Sequence, residues 1–238
     1  MRVIKILEWV CSEKLDKYIK QLKHVNLTQL VFELIEKDSQ EFISGRLGYS
    51  EYVPSEKIHR IGVRSSIPNQ AVETIVCHEI EHIELIYAGF NMFLEPSREN
   101  RQNLYWNDFC TSMISTFSDV IIDKKLKKMG FDFQYINSFL FESLVMVKYI
   151  HGAPKPLQFT NCLRATGESY ILSGKKEREF KKIYLQKAMP IYLKSIEIKK
   201  IADKIGFNTP EKYNTLIERL VDYLEVGDDV IVFKQEFK

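Results

Sequence analysis

The chain has 238 residues, 45% of them hydrophobic and 28% charged, with a formal net charge of +2. That length supports one large domain or two small ones around a substantial core, and the composition is that of a folded protein rather than a disordered one. The near-neutral charge gives no electrostatic pull toward nucleic acid or anionic membrane; no apolar run reaches the roughly 18 residues of a membrane span, and Lys5 and Glu8 break the apolar stretch a signal peptide would need. The cytoplasm is therefore the expected compartment. Cys11, Cys77, Cys110 and Cys162 are scattered without CxxC spacing, which argues against a cysteine zinc knuckle and a disulfide scaffold.

In chain order, amphipathic stretches at residues 15–22 and 27–35 predict two helices. Residues 43–49 and 57–63 then read as short strands separated by the turn-forming pair Pro54-Ser55. Ser66-Ile67-Pro68-Asn69 carries helix-start chemistry, and the helix it opens is expected to reach Ala88 and stop at Gly89. A polar loop over residues 95–103 leads to a second long helix, 106–129, ended by Gly130. Further helices are expected at 136–150, 175–192, 196–205 and 210–224, with residues 230–233 as an edge strand or tail. The expected fold class is α+β, predominantly helical: a core over residues 1–150 and a helical C-terminal region over 151–238, divided near residues 151–156.

The chemistry concentrates in His78-Glu79-Ile80-Glu81-His82. Side chains at i and i+4 stand one above the other on a helix, so the two imidazoles converge on one point and supply half of a tetrahedral zinc shell. Glu79 lies beside that point, turned aside, where a carboxylate can take a proton from an activated water. Ile75, Val76, Ile80, Ile83, Leu85 and Ile86 make the body of the helix apolar, which places the motif on an internal element.

On these residues the chain resembles the zincin metallopeptidases in the gluzincin-like arrangement. The similar region covers residues 58–63, 72–89 and Phe117-Ser118-Asp119-Val120-Ile121-Ile122-Asp123. The resemblance implies a small mixed or antiparallel sheet packed on the HExxH helix, residues 58–63 as the edge strand lining the cleft, and a Zn²⁺ cofactor. It also implies an acidic ligand on a following helix and a peptide or protein substrate bound extended along the edge strand. A third histidine six residues past the second is absent, since position 88 is Ala88, so the remaining ligand is acidic. Glu95, Glu99, Asp108, Asp119 and Asp123 are the candidates. Asp119 and Asp123 share a helix face among apolar neighbours, where two carboxylates are costly without a cation. Asp119 is assigned as the ligand and Asp123 as the group that orients an imidazole, or as the alternative ligand. Aspartate departs from the family's glutamate and reaches one methylene less far. Glu79 is expected to be the general base, and Tyr149, His151 and Tyr170 are available as transition-state donors.

Two other readings belong to different classes. A zincin fold can hold metal as a sensor or regulatory scaffold without protease activity. Residues 201–213 faintly resemble a helix-turn-helix, and Lys175, Lys176, Lys181, Lys182, Lys199 and Lys200 offer phosphate contacts, although a solvated helical hairpin explains the same pattern and nucleic acid is not the expected partner.

Overall fold

The computed structural model describes residues 13–25, 29–35, 47–145 and 151–234. The elements are α1 (Glu13–Ile19), β1 (Leu30–Ile35), β2 (Gly48–Val53), β3 (Ile58–Arg64), α2 (Asn69–Tyr87), β4 (Met92–Pro96), α3 (Leu104–Lys128), α4 (Gln134–Val145), α5 (Lys155–Ile171), α6 (Gly174–Lys187), α7 (Met189–Ile205), α8 (Pro210–Leu224) and β5 (Val230–Lys234). This is a predominantly helical α+β architecture. Among the described residues, no helix is long and apolar enough to cross a membrane. The chain divides into two compact units, Met1–Ala88 with Ile122–Ile136, and Gly89–Ile121 with Asn137–Lys238; the division falls inside α3.

The first unit is a three-stranded sheet with α2 against it. Strand order is β1-β3-β2, with β1 parallel and β2 antiparallel to β3. Alternation decides the faces: Leu30 and Phe32 of β1 and His59, Ile61 and Val63 of β3 are buried. Gly48, Ser50 and Tyr52 of β2 pair with Val63, Ile61 and His59, and so share that face. The core joins these strands to Val72, Ile75, Val76, Ile80 and Ile83 of α2 and to Ile122 and Leu126 of α3.

Helix α3 ends in a Schellman turn that only a residue comfortable at positive φ can make. Gly130 has φ 84°, its amide donates to the Lys127 carbonyl at 3.0 Å, and the Phe131 amide donates to the Leu126 carbonyl at 3.1 Å. The turn folds Phe131 back onto Leu126, both buried in the same core, and fixes the last turns of α3 against α2.

In the second unit β4 and β5 form an antiparallel pair, Met92 opposite Lys234. Its core gathers Phe109, Met113 and Phe117 of α3, Leu163 of α5, Phe180 and Tyr184 of α6, Ile198 of α7, and Tyr213, Leu216 and Leu220 of α8. Helix α8 starts on Thr209, whose hydroxyl accepts the Lys212 amide at 3.4 Å, with Pro210 in its first turn.

Five expectations change. Residues 30–35 form a strand, not part of a helix over 27–35: the run Leu-Val-Phe-Glu-Leu-Ile fits both periods, and pairing along β3 selects the extended one. Residues 26–28 lie outside the described set, as do residues 43–46 of the expected first strand and 146–150 of the helix expected over 136–150. Residues 58–63 lie in the central strand of the described sheet, and β1 and β2 are its edges. Glu95 stands in β4 rather than in a loop. The helix expected over 175–192 is two helices, because Pro190 cannot donate within a continuing helix and instead sits in the first turn of α7. Helix α5 was missed: Thr160, Thr166 and Gly167 lower its intrinsic propensity, yet all three are buried, and Thr166 returns its hydroxyl to the Cys162 carbonyl at 2.8 Å.

Candidate metal centre

Helix α2 carries His78 and His82 one turn apart, and their Nε2 atoms face each other at 3.2 Å. Two nitrogens bound at about 2.0–2.1 Å to one tetrahedral ion stand roughly 3.3–3.4 Å apart, so this spacing suits a shared ion. His78 Nδ1 lies 3.2 Å from Asp123 Oδ1 on α3, and a proton on that nitrogen would leave the lone pair on Nε2. Lys127, one turn further along, stands 3.8 Å from the other Asp123 oxygen and balances its charge.

Asp119 lies one turn before Asp123 on the same unbroken helix, so the register that places Asp123 behind His78 also brings Asp119 to the histidine face. His78, His82 and Asp119 each offer one ligand atom, and these atoms all lie within 4.8 Å of one another. All three side chains are half-buried. Two neutral imidazoles and one carboxylate make a donor set of charge −1 with nitrogen and oxygen ligands. Three such ligands on a four-coordinate ion would leave a fourth position for solvent or substrate.

Glu79 is 8% exposed and lies under the start of β2. Gly48 makes that approach possible: a Cβ there would stand 2.8 Å from Ile75 Cγ2 and 2.9 Å from Glu79 Oε1. The backbone of the edge strand therefore passes directly over the carboxylate. Further along the same face the Tyr52 ring lies 4.9 Å from that of His59, whose Nε2 is 3.0 Å from the Tyr87 hydroxyl, and burial lowers the His59 pKa.

The other two buried acids of α2, Glu81 and Glu84, have partners of their own. Glu81 is 1% exposed and accepts from Lys125 Nζ at 2.6 Å. The Tyr18 hydroxyl, which donates to the Cys77 carbonyl at 3.2 Å, also shares Glu81; burial first, then the Glu81 charge, hold that phenol well above its ordinary pKa. Glu84 accepts three consecutive backbone amides, Lys23 at 2.6 Å, His24 at 3.1 Å and Val25 at 3.0 Å, and ties the segment after α1 to α2.

The remaining candidates stand apart from this arrangement. Glu95 lies 3.5 Å from Arg101, and Glu99 and Asp108 are exposed. Tyr170 donates to Asp203 at 2.6 Å with Lys199 over its ring, His151 is in the turn before α5, and Tyr149 lies outside the described residues. Sequence reasoning missed Gly48, Glu81 with Lys125, and Glu84. A glutamate inside an apolar helical run, at Glu81, was the available signal that a partner cation exists. Comparison with models of known families, with curated proteins and with solved structures finds no match to this chain.

Proposed function

We propose that the chain is a zinc-dependent peptidase of the zincin type, with His78, His82 and Asp119 as ligands and Glu79 as general base. The observation that carries this reading is the pair of histidine Nε2 atoms 3.2 Å apart, with the Asp119 carboxylate within reach of both. Zn²⁺ held there supplies a Lewis acid and makes water a competent nucleophile near neutral pH.

The chain's own residues do the rest. Asp123 holds the Nδ1 proton of His78 and keeps Nε2 directed inward. Glu79 accepts the proton of the attacking water and returns it to the departing amine, so that a stable amine leaves rather than an amide anion. The edge of β2 offers backbone amides and carbonyls to an extended peptide, and the passage of Gly48 over Glu79 brings that edge to the reacting bond. A cytoplasmic setting accords with the unpaired cysteines Cys77, Cys110 and Cys162, all buried.

The test is zinc analysis of purified protein together with peptide-library cleavage. About one equivalent of zinc, lost in His82→Ala, and cleavage lost in Glu79→Gln with zinc retained, are the expected results. Full cleavage by Glu79→Gln would refute the assignment of the base.

A further inference from the structure

Glu81 lies inside the HExxH motif, to one side of the histidine face, and nothing in the proposed chemistry uses it. Its surroundings are specific. Its carboxylate is 1% exposed, receives Lys125 Nζ at 2.6 Å and shares the hydroxyl of Tyr18, itself fully buried. Glu81 follows His78 by three residues, and Lys125 follows Asp123 by two. The contacts His78–Asp123 and Glu81–Lys125 therefore join the same two helices about one turn apart along α2 and about half a turn apart along α3.

We infer that the Glu81–Lys125 pair is a positioning clamp for the proposed metal centre, fixing the rotation of α3 so that the Asp123 face meets the histidines. A single contact such as His78–Asp123 sets a separation but leaves either helix free to roll about its axis. A second contact, offset along and around both helices, removes that freedom. Asp119 lies one turn upstream of Asp123, so a roll of α3 displaces it along with its neighbour. Ile122 and Leu126 of the same stretch of α3 lie in the apolar core shared with α2, and the clamp adds a directional contact to that packing. Tyr18 extends the clamp to α1 and holds the Glu81 carboxylate from its other side. A charged pair at this point gives directional selection that the apolar contacts lack.

The clamp rests on the metal reading, and the experiment separates the two. Co²⁺ is titrated into metal-free wild type, Glu81→Gln, Lys125→Met and Lys125→Arg, following the visible absorption of the ion at a temperature well below each variant's unfolding. Wild type is expected to bind one Co²⁺ with four-coordinate bands. Glu81→Gln, which keeps a partner for Tyr18, and Lys125→Met are each expected to bind about 10-fold more weakly, with altered bands. Lys125→Arg is expected to restore both. Lys125 is 41% exposed, so its substitution leaves a folded protein to measure even if Glu81→Gln does not. Variants with lowered melting temperature but unchanged Co²⁺ affinity and spectrum would reduce the pair to a stabilising contact and overturn the proposal. Wild type that binds no Co²⁺ would remove the metal centre itself, and the clamp with it.

Discussion

Replacing Asp119 and Asp123 separately distinguishes a ligand from the group that orients one. Asp123 is 5% exposed and holds His78 Nδ1 at 3.2 Å. Removing such an outer carboxylate costs about 10–100-fold in metal affinity, or roughly 1.4–2.7 kcal/mol. Asp123→Ala leaves Lys127 without this carboxylate, but that lysine is 34% exposed and water solvates it, so little folding stability is lost with the ion pair. Asp119→Ala deletes one of the three proposed ligands, and its loss is expected to exceed about 100-fold, the upper end of outer-carboxylate effects. The assay is zinc competition against a chromophoric chelator, paired with unfolding at a fixed free zinc concentration of 100 times the wild-type Kd. Wild type then gains about 2.7 kcal/mol from zinc, whereas a variant 100-fold weaker gains about 0.4 kcal/mol. Normal binding by Asp119→Ala with loss in Asp123→Ala would reverse the two roles. Wild-type affinity in both would refute the ligand geometry altogether.

Three further outcomes follow from particular contacts. Burial raises the Glu168 carboxyl from 4.5 to about 8, against the opposing influence of Arg164 and the Tyr184 hydroxyl. Between those two values the unfolded chain is ionised while the folded one keeps its proton, so stability falls as pH rises from about 4.5 to 8 and then levels off, a loss of a few kcal/mol at roughly 1.4 kcal/mol per unit. Glu168→Gln, an isostere of the neutral acid, is expected to flatten that decline and to be the more stable protein at pH 9 in urea denaturation; a flat wild-type profile would contradict it. Gly48→Ala forces a methyl to within 2.8 Å of Ile75 Cγ2 and 2.9 Å of Glu79 Oε1, so it should cost about 1–3 kcal/mol and lower turnover while zinc binding persists; unchanged turnover would show that the β2 edge is not part of the site. Glu84→Ala strands the amides of Lys23, His24 and Val25, with an expected loss of about 2–4 kcal/mol and faster hydrogen exchange at those three positions; unchanged exchange there would show that Glu84 does not hold the loop.

How far the sequence discloses this molecule depends on which interactions are local. Helix α2 was legible because its start at Ser66–Asn69, its apolar period and its stop before Gly89 all lie within the helix or at its ends. Asp119 and Asp123 were legible as a pair because helical spacing puts them on one face, and a buried carboxylate pair among Phe117, Val120 and Ile122 is costly enough to suggest a cation or a partner. Strand β1 was not legible, since six residues with apolar groups at both two- and four-residue spacings are assigned only by what they pair with, and β3 lies 28 residues further on. The edge position of β2 was hidden for the same reason. Glu81 and Lys125 are 44 residues apart, and no local pattern connects them. Helix α5 escaped because its threonines and glycine argue against helix individually, while the close approach that suits Gly167, where an added Cβ would stand 3.3 Å from the Thr116 methyl, is a tertiary fact.

The three buried glutamates of α2, Glu79, Glu81 and Glu84, sharpen the functional reading, because they share one helix, one charge and similar burial, yet have different surroundings. Glu81 meets a lysine and a phenol, and Glu84 meets three amides; the donors around each explain its burial without any reaction. Glu79 lies under the backbone of an edge strand, beside two imidazoles whose nitrogens converge. If the helix were only a well-charged structural element, neutralising any of the three would act mainly on stability, in proportion to the donors lost. The proposed chemistry predicts a split instead: Glu84 governs folding, Glu81 governs metal affinity, and Glu79 governs turnover with affinity and folding nearly intact. A uniform effect of the three glutamine substitutions on melting temperature, with no separate effect on cleavage, would leave the motif as a coincidence of helix composition.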